Sequence, residues 1–184
     1  TDEGALLAKA QDEVAGIASV FQSLLQIASV EAGPPKTHFA PVDLNRLCLT
    51  LTEVYDPAAA AKDQTLDSVV PDAQLTVEGD KNLLGQMMSN LLENAMRHTP
   101  AGSEITLTLY RANDRPVIEV ADNGPGIPEH ARTKVLQRLY RLDASRHTPG
   151  NGLGLSLVEG VVKLHGGQIA LLDNAPGLRV RITL

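Results

Sequence analysis

The sequence predicts an α/β domain preceded by one long helix. Three observations carry that expectation: a heptad of apolar residues through the opening segment, a strong amphipathic helix pattern over positions 80–98, and two pairs of alternating segments that each flank a short turn. In the opening helix Ala10, Val14, Ile17, Phe21, Leu24 and Ala28 recur at steps of four and three, the seam of a helix that packs on a partner helix. Ser19, Gln22, Gln26 and Ser29 keep the same beat on another face and are expected to be solvated. Ala32-Gly33-Pro34-Pro35 ends the helix, because Gly favours the C-terminal cap and paired prolines cannot continue it. A boundary is therefore expected at 33–41.

Beyond that boundary, Asp43 to Ala61 reads as a helix capped by Asp43, and Thr65 to Val70 and Gln74 to Glu78 as short strands separated by Pro71-Asp72. Asp80 caps the next helix, whose Leu84, Met88, Leu91, Leu92 and Ala95 cluster on one side before Thr99-Pro100-Ala101-Gly102 stops it. Glu104 to Tyr110 and Pro116 to Ala121 read as a hairpin across Asn113-Asp114, and Gly167 to Asp173 with Leu178 to Leu184 as a second. A helix from about Leu153 to His165 lies between them.

The chain has 184 residues, enough for one full domain and an appended element. With 43% hydrophobic and 21% charged residues it fits neither a disordered tail nor a membrane bundle, and no apolar run is long enough to span a bilayer. Twenty-two acidic against 16 basic residues give a net charge of -6, which disfavours broad binding to nucleic acid or anionic lipid. The single Cys48 reads as a small buried hydrophobe, in a reducing compartment. A start at Thr1 with no leader pattern suggests a piece excised from something longer.

Chemistry is concentrated in the second half. Asn90, Asn94 and Arg97, spaced four and three apart, project from one helix face, where amide oxygens suit a hard Mg²⁺ shared with phosphates. Asp122-Asn123-Gly124-Pro125-Gly126-Ile127-Pro128 follows a strand, with two glycines that let backbone approach a ligand; alone it is also a plain turn signal. Gly150-Asn151-Gly152-Leu153-Gly154-Leu155 opens a helix, whose free amides and dipole favour phosphate, yet it matches neither the dinucleotide fingerprint nor the Walker loop. Between these clusters Arg132, Lys134, Arg138, Arg141 and Arg146 face only Glu129 and Asp143; triphosphate attraction and a solvated helix face are both open readings.

In this order, Asn90-Leu91-Leu92-Glu93-Asn94-Ala95, the Asp122 to Pro128 segment, Leu139-Tyr140-Arg141 and Gly152-Leu153-Gly154-Leu155 resemble the catalytic, ATP-binding domain of sensor histidine kinases. The resemblance covers roughly residues 42–184 and implies a two-layer sandwich, a mixed, mostly antiparallel sheet packed on helices, with ATP under a mobile lid. It implies that Asn94 holds Mg²⁺, that Asn90, Arg97 and His98 lie near the phosphates, and that Asp122 accepts from the adenine amino group while Gly124 and Gly126 let the ring approach. A carboxylate there repels the carbonyl of guanine, so ATP is expected over GTP. Arg141 corresponds to the γ-phosphate contact, Gly150, Gly152 and Gly154 to the lid, and Ile127, Tyr140, Leu153 and Leu155 belong to the same binding motifs. Asn90, Asn94 and Arg141 are the residues expected to carry the catalysis.

By the same resemblance, residues 1–33 look like the second helix of the dimerisation and phosphoacceptor hairpin, residues 34–41 a linker and 42–184 the catalytic domain. The implied partners are a second copy through the opening helix and the receiver domain of a response regulator; neither nucleic acid nor, except through segments outside this chain, a membrane is expected. The domain itself is expected to face cytoplasmic ATP.

The acceptor motif is absent around His38, His98, His130, His147 and His165, so autophosphorylation of this chain alone is not expected. Leu136 and Leu139 stand where the family's lid usually shows phenylalanines. Asn90 stands where the hydrolysing clamps of the wider superfamily place a Glu, so slow hydrolysis is expected, and Glu93 projects about 100° from Asn94 on an ideal helix. Two further readings remain open: a docking module that has lost nucleotide binding, and a serine kinase or ATPase on the same fold.

Overall fold

The computed structural model describes residues 2–33, 39–141 and 152–184. A long helix, α1 (Asp2–Ala32), is followed by β1 (Ala40–Asp43), α2 (Leu44–Ala60), β2 (Thr65–Val69), β3 (Thr76–Gly79) and α3 (Lys81–His98). Then come the hairpin β4 (Glu104–Ala112) and β5 (Arg115–Asp122), a short α4 (Glu129–Arg132), a 3₁₀ turn (Lys134–Leu136), α5 (Gly154–Leu164), and the hairpin β6 (Gln168–Asp173) and β7 (Leu178–Thr183).

Both expected aspartate caps start their helices: Asp43 Oδ1 accepts from Arg46 N at 3.0 Å, and Asp80 Oδ1 from Asn82 N at 2.8 Å and Leu83 N at 3.2 Å. The main sheet runs β2-β4-β5-β7-β6, with β2 and β4 parallel and the other pairs antiparallel. Its inner face supplies Ile105, Leu107, Leu109, Ile118, Val120, Val180 and Ile182 to one core with Leu84, Met87, Met88 and Leu92 of α3 and Val158, Val161 and Val162 of α5. The expected mixed sheet on a helical layer is therefore present. Cys48 is fully buried in that core, as expected, and burial pushes its thiol up to about 12.

One element differs from expectation. Ala40 and Pro41, expected in a linker, open β1, and the two short strands flanking Pro71-Asp72 lie in different sheets. β3 pairs with β1 in a separate ribbon, and β2 joins β4. Asn45 holds the intervening segment, donating to Pro71 O at 2.7 Å and accepting from Leu75 N at 2.8 Å. Four residues that include Pro41 offer too short a pattern to register as a strand.

The described part of the α1 seam has no partner helix among the described residues: Val14, Ile17 and Phe21 are 66%, 71% and 62% exposed. A neighbouring stripe docks on α5, with Ile27 and Val30 buried, Val20 packed against the core, and Leu24 of the seam itself packed there too. Gly160 makes room, since a Cβ there would stand 3.3 Å from Val30 Cγ1. Burying two such side chains stabilises the docked helix by roughly 1.5–3 kcal/mol each. Gln26, expected to be solvated, instead turns toward the cleft described next.

Candidate functional site

A cleft of about 1320 Å³ opens between α3, the loop after β5, and the start of α5. Asn90, Asn94, Arg97, His98, Asp122, Gly124, Gly126, Ile127, Tyr140, Arg141, Gly152, Leu153, Gly154 and Leu155 all line it. Gly150 lies outside the described residues.

One end is built around Asp122, the last residue of β5, only 8% exposed. Its Oδ1 accepts from Gly124 N at 2.9 Å and Leu178 N at 3.3 Å, while no hydrogen bond to its Oδ2 is present among the described residues. Burial pushes its carboxyl above the usual aspartate value, and those two N–H groups and the nearby His98 draw it back. Glycine is required here by contact: a Cβ on Gly126, at φ +69°, would stand 2.7 Å from Gly177 O, and one on Gly124 would stand 2.6 Å from Thr99 Cγ2. A buried carboxylate with one oxygen uncommitted, beside two glycines, can accept a hydrogen bond from an amino group that approaches along the backbone.

The other end suits anions and a hard cation. α5 begins at Gly154 with no side-chain cap, so its first N–H groups and dipole face the cleft. Arg97 and Arg141 add positive charge, and Asn94 lies against Gly154 with its amide 3.5 Å from where a Cβ would stand. Asn90 Nδ2 is buried with no hydrogen-bond partner among the described residues, a donor that a phosphate oxygen or a metal-bound water would satisfy. Among the described residues no group of three His, Cys, Asp or Glu is placed to hold a metal ion. Partial desolvation, then repulsion by Arg97 and Arg141, lowers the pKa of His98, with Asp122 opposing.

The described residues on either side of positions 142–151 meet: Leu139 N donates to Gly152 O at 2.9 Å, and a Cβ on Gly152 would stand 2.8 Å from Tyr140 O. Of the five cations expected between the glycine clusters, Arg141 alone among the described ones lines this cleft. Arg132 Nε instead donates to Ile127 O at 3.0 Å, Arg138 lies beside a smaller depression near Val30, and Arg146 falls outside the described residues with Asp143, His38 and His147. Leu136 packs against the core, whereas Leu139 is exposed. Glu93 reaches the cleft wall after all, but its carboxylate accepts from Tyr55 O–H at 2.8 Å. His165 is structural: its Nε2 accepts from Asp80 N at 3.1 Å, its Nδ1 lies 2.8 Å from Val161 O, and its ring stacks on Phe39.

Sequence reasoning missed three contributors. Gly16, Ser23 and Gln26 of α1 line the cleft, Thr99 closes its floor with Gln64, and the β6–β7 turn grips Asp122. The turn's Asn-Ala-Pro-Gly sequence is visible in the chain, though only as a turn signal.

A family model described as histidine kinase-, DNA gyrase B-, and HSP90-like ATPase matches residues 79–184, and the chain belongs to that family. Within it the similar proteins are sensor histidine kinases. Adaptive-response sensory kinase SasA of Synechocystis is 31% identical over 172 residues, 93% of this chain and 45% of that protein, so the chain spans under half the length of this relative. The solved mycobacterial sensor histidine kinase MprB superposes with a TM-score of 0.70 at 31% identity, over 79% of this chain and 96% of its own. Full-length ShkA, solved in complex with AMPPNP, covers 100% of this chain and 38% of its own with a TM-score of 0.84 and 24% identity, a likeness of fold.

Proposed function

We propose that this chain binds Mg-ATP and presents the γ-phosphate to a histidine on a dimerisation hairpin, for relay to the aspartate of a response regulator receiver domain. One observation carries the reading: a single cleft holds a buried carboxylate at one end and an uncapped helix start with Asn90, Asn94, Arg97 and Arg141 at the other. Asp122 reads the adenine amino group, and the glycines at 124 and 126 admit the ring. Asn94 would hold Mg²⁺, whose charge would offset that of the phosphates. Asn90 donates to phosphate or its water, Arg97 steadies the chain of phosphates, and Arg141 orients the terminal one. Positioning and charge neutralisation then supply most of the rate.

Hydrolysis is held back because Asn90 cannot take a proton from water and the Glu93 carboxylate is occupied by Tyr55. The acceptor histidine lies on a segment outside this chain, and the exposed Val14, Ile17 and Phe21 of α1 form half of a homodimer seam. The net charge of -6 argues against nucleic acid as a partner. Among the described residues no helix is long and apolar enough to cross a membrane; we place this domain on the cytoplasmic side because the proposed reaction draws on cytoplasmic ATP.

Calorimetric titration with a nonhydrolysable ATP analogue tests this. Saturable binding that strengthens with Mg²⁺ and disappears in Asp122→Asn is the expected result. A chain extended to include the acceptor helix should then label on histidine from γ-labelled ATP. No binding at millimolar analogue would refute the proposal and favour the docking-module reading.

A further inference from the structure

The geometry points to Asn174, in the β6–β7 turn, as a positioning residue that sets adenine selectivity by holding Asp122, a role that presupposes adenine recognition by that carboxylate. Asp122 sits one residue beyond the last rung between β5 and β7, which is Ala121 opposite Arg179. On its β4 side Asp122 is paired with Ile105. On the β7 side the ladder has stopped, and Leu178 N, which would make the next rung, is spent on Asp122 Oδ1. The main-chain carbonyl of Asp122 would thus lose its sheet partner at the residue whose direction matters most. Asn174 Nδ2 supplies it, donating to Asp122 O at 2.8 Å.

The amide of Asn174 is itself oriented. Its Oδ1 accepts from Arg179 Nη2 at 2.7 Å, which leaves only Nδ2 to face the carbonyl, and its main-chain N–H donates to Gly177 O at 3.1 Å to close the turn. Arg179 lies 3.8 Å from Glu119 Oε2, and the same carboxylate accepts from Tyr110 O–H at 2.9 Å and from Arg181 Nε. A polar chain therefore runs from the outer face of the sheet, through Arg179 and Asn174, to the main-chain carbonyl of Asp122, the residue whose carboxylate reads the base. Asparagine suits the position because one short side chain both donates to a carbonyl and accepts from a guanidinium. Alanine does neither. Aspartate would keep the arginine and set a second acceptor against Asp122 O.

A carboxylate that distinguishes an amino group from a carbonyl must be held to within about half an ångström. If Asn174 does the holding, its loss blurs the choice of base while leaving the phosphate end untouched. The test is calorimetry of this chain with ADP and with nonhydrolysable ATP and GTP analogues, combined with native-state amide exchange at Gly124 and Leu178. Asn174→Ala should weaken ADP and the ATP analogue by the same factor, about fivefold, as expected for one hydrogen bond. It should also narrow the adenine-over-guanine ratio and speed exchange at Leu178. Asn174→Asp should do so more strongly. Arg179→Met, at the far end of the chain of contacts, should shift the same readouts less, and add nothing in the Asn174→Ala background.

A merely structural loss would lower stability without moving the base ratio. Folded variants with the wild-type ratio and wild-type exchange overturn the proposal, and Arg179→Met decides it should Asn174→Ala fail to fold. Absence of nucleotide binding by the wild-type chain, in contrast, overturns the adenine reading and this role together.

Discussion

Gly177→Ala is the substitution for which the structure makes the sharpest demand. At φ +114° an L side chain is strained by about 1–3 kcal/mol. The added Cβ would stand 1.7 Å from Asp122 O, 2.6 Å from Asp122 C and 2.9 Å from Asn123 Cα, all backbone atoms. The two segments must part by more than an ångström, which breaks the contacts of Asp122 with Asn174 Nδ2 at 2.8 Å and Leu178 N at 3.3 Å. At about 1 kcal/mol for each hydrogen bond, added to the strain, stability falls by about 3–5 kcal/mol. For a chain of this size that lowers the melting temperature by roughly 10 °C. Gly102→Ala is the control, since Gly102 has φ +80° and nothing within 4 Å of where its added methyl would stand, so strain acts there without a clash. Thermal unfolding of both variants, with titration of an ATP analogue, separates strain from clash. Gly177→Ala should melt well below Gly102→Ala and lose most of its nucleotide affinity. Equal melting temperatures with wild-type affinity in both would refute the reasoning.

Burial raises the pKa of Asp122 in the folded chain, so the stability it contributes below the ordinary value of 3.8 is lost as pH rises through the folded value. Asp122→Asn should therefore melt higher than wild type at neutral pH, a gain that fades toward about pH 3, and a lower melting temperature at neutral pH would contradict this. His98 has its pKa lowered from 6.5 by desolvation and by Arg97 and Arg141, and incoming phosphates reverse that repulsion. ATP binding near that pH should take up a fraction of a proton, seen as a dependence of binding heat on buffer ionisation enthalpy; the dependence should vanish in His98→Ala, and its survival there would exclude His98 as the source. Cys48, with its thiol pushed up to about 12, should resist iodoacetamide in the native chain and react once unfolded, and rapid native labelling would show the core to be open. Phe21→Asp, at a side chain 62% exposed, should abolish a homodimer measured by light scattering with little change in melting temperature; an unchanged mass would rule out this seam.

Much of the site is legible in the sequence because its pieces are local. Asn90, Asn94 and Arg97 share a helix face through periodicity alone, Asp122 and its glycines announce themselves by following a strand, and Gly152 to Leu155 open a helix. The two caps and both hairpins are equally local. β1 escapes a sequence reading because its stability comes from pairing with β3, more than thirty residues away, and not from its own four residues. The cation-rich segment reads too broadly from sequence, since charge density does not say which guanidinium turns inward; the fold directs Arg141 into the cleft and ties Arg132 to Ile127 O.

The amino-acid sequence by itself determined the order of the helices and of every strand but β1, the buried Cys48, and the chemical types that a nucleotide cleft needs, because each follows from spacing, capping or residue chemistry within a few turns. Only the tertiary structure decided which stripe of α1 docks, since Ile27 and Val30 compete with the exposed seam and win where Gly160 leaves room. It also decided that a turn some fifty residues downstream holds Asp122. The physical reason is the same in both cases: close approach of two backbones is set by what is absent from each, and the missing Cβ of a glycine has no meaning until its neighbour is in place.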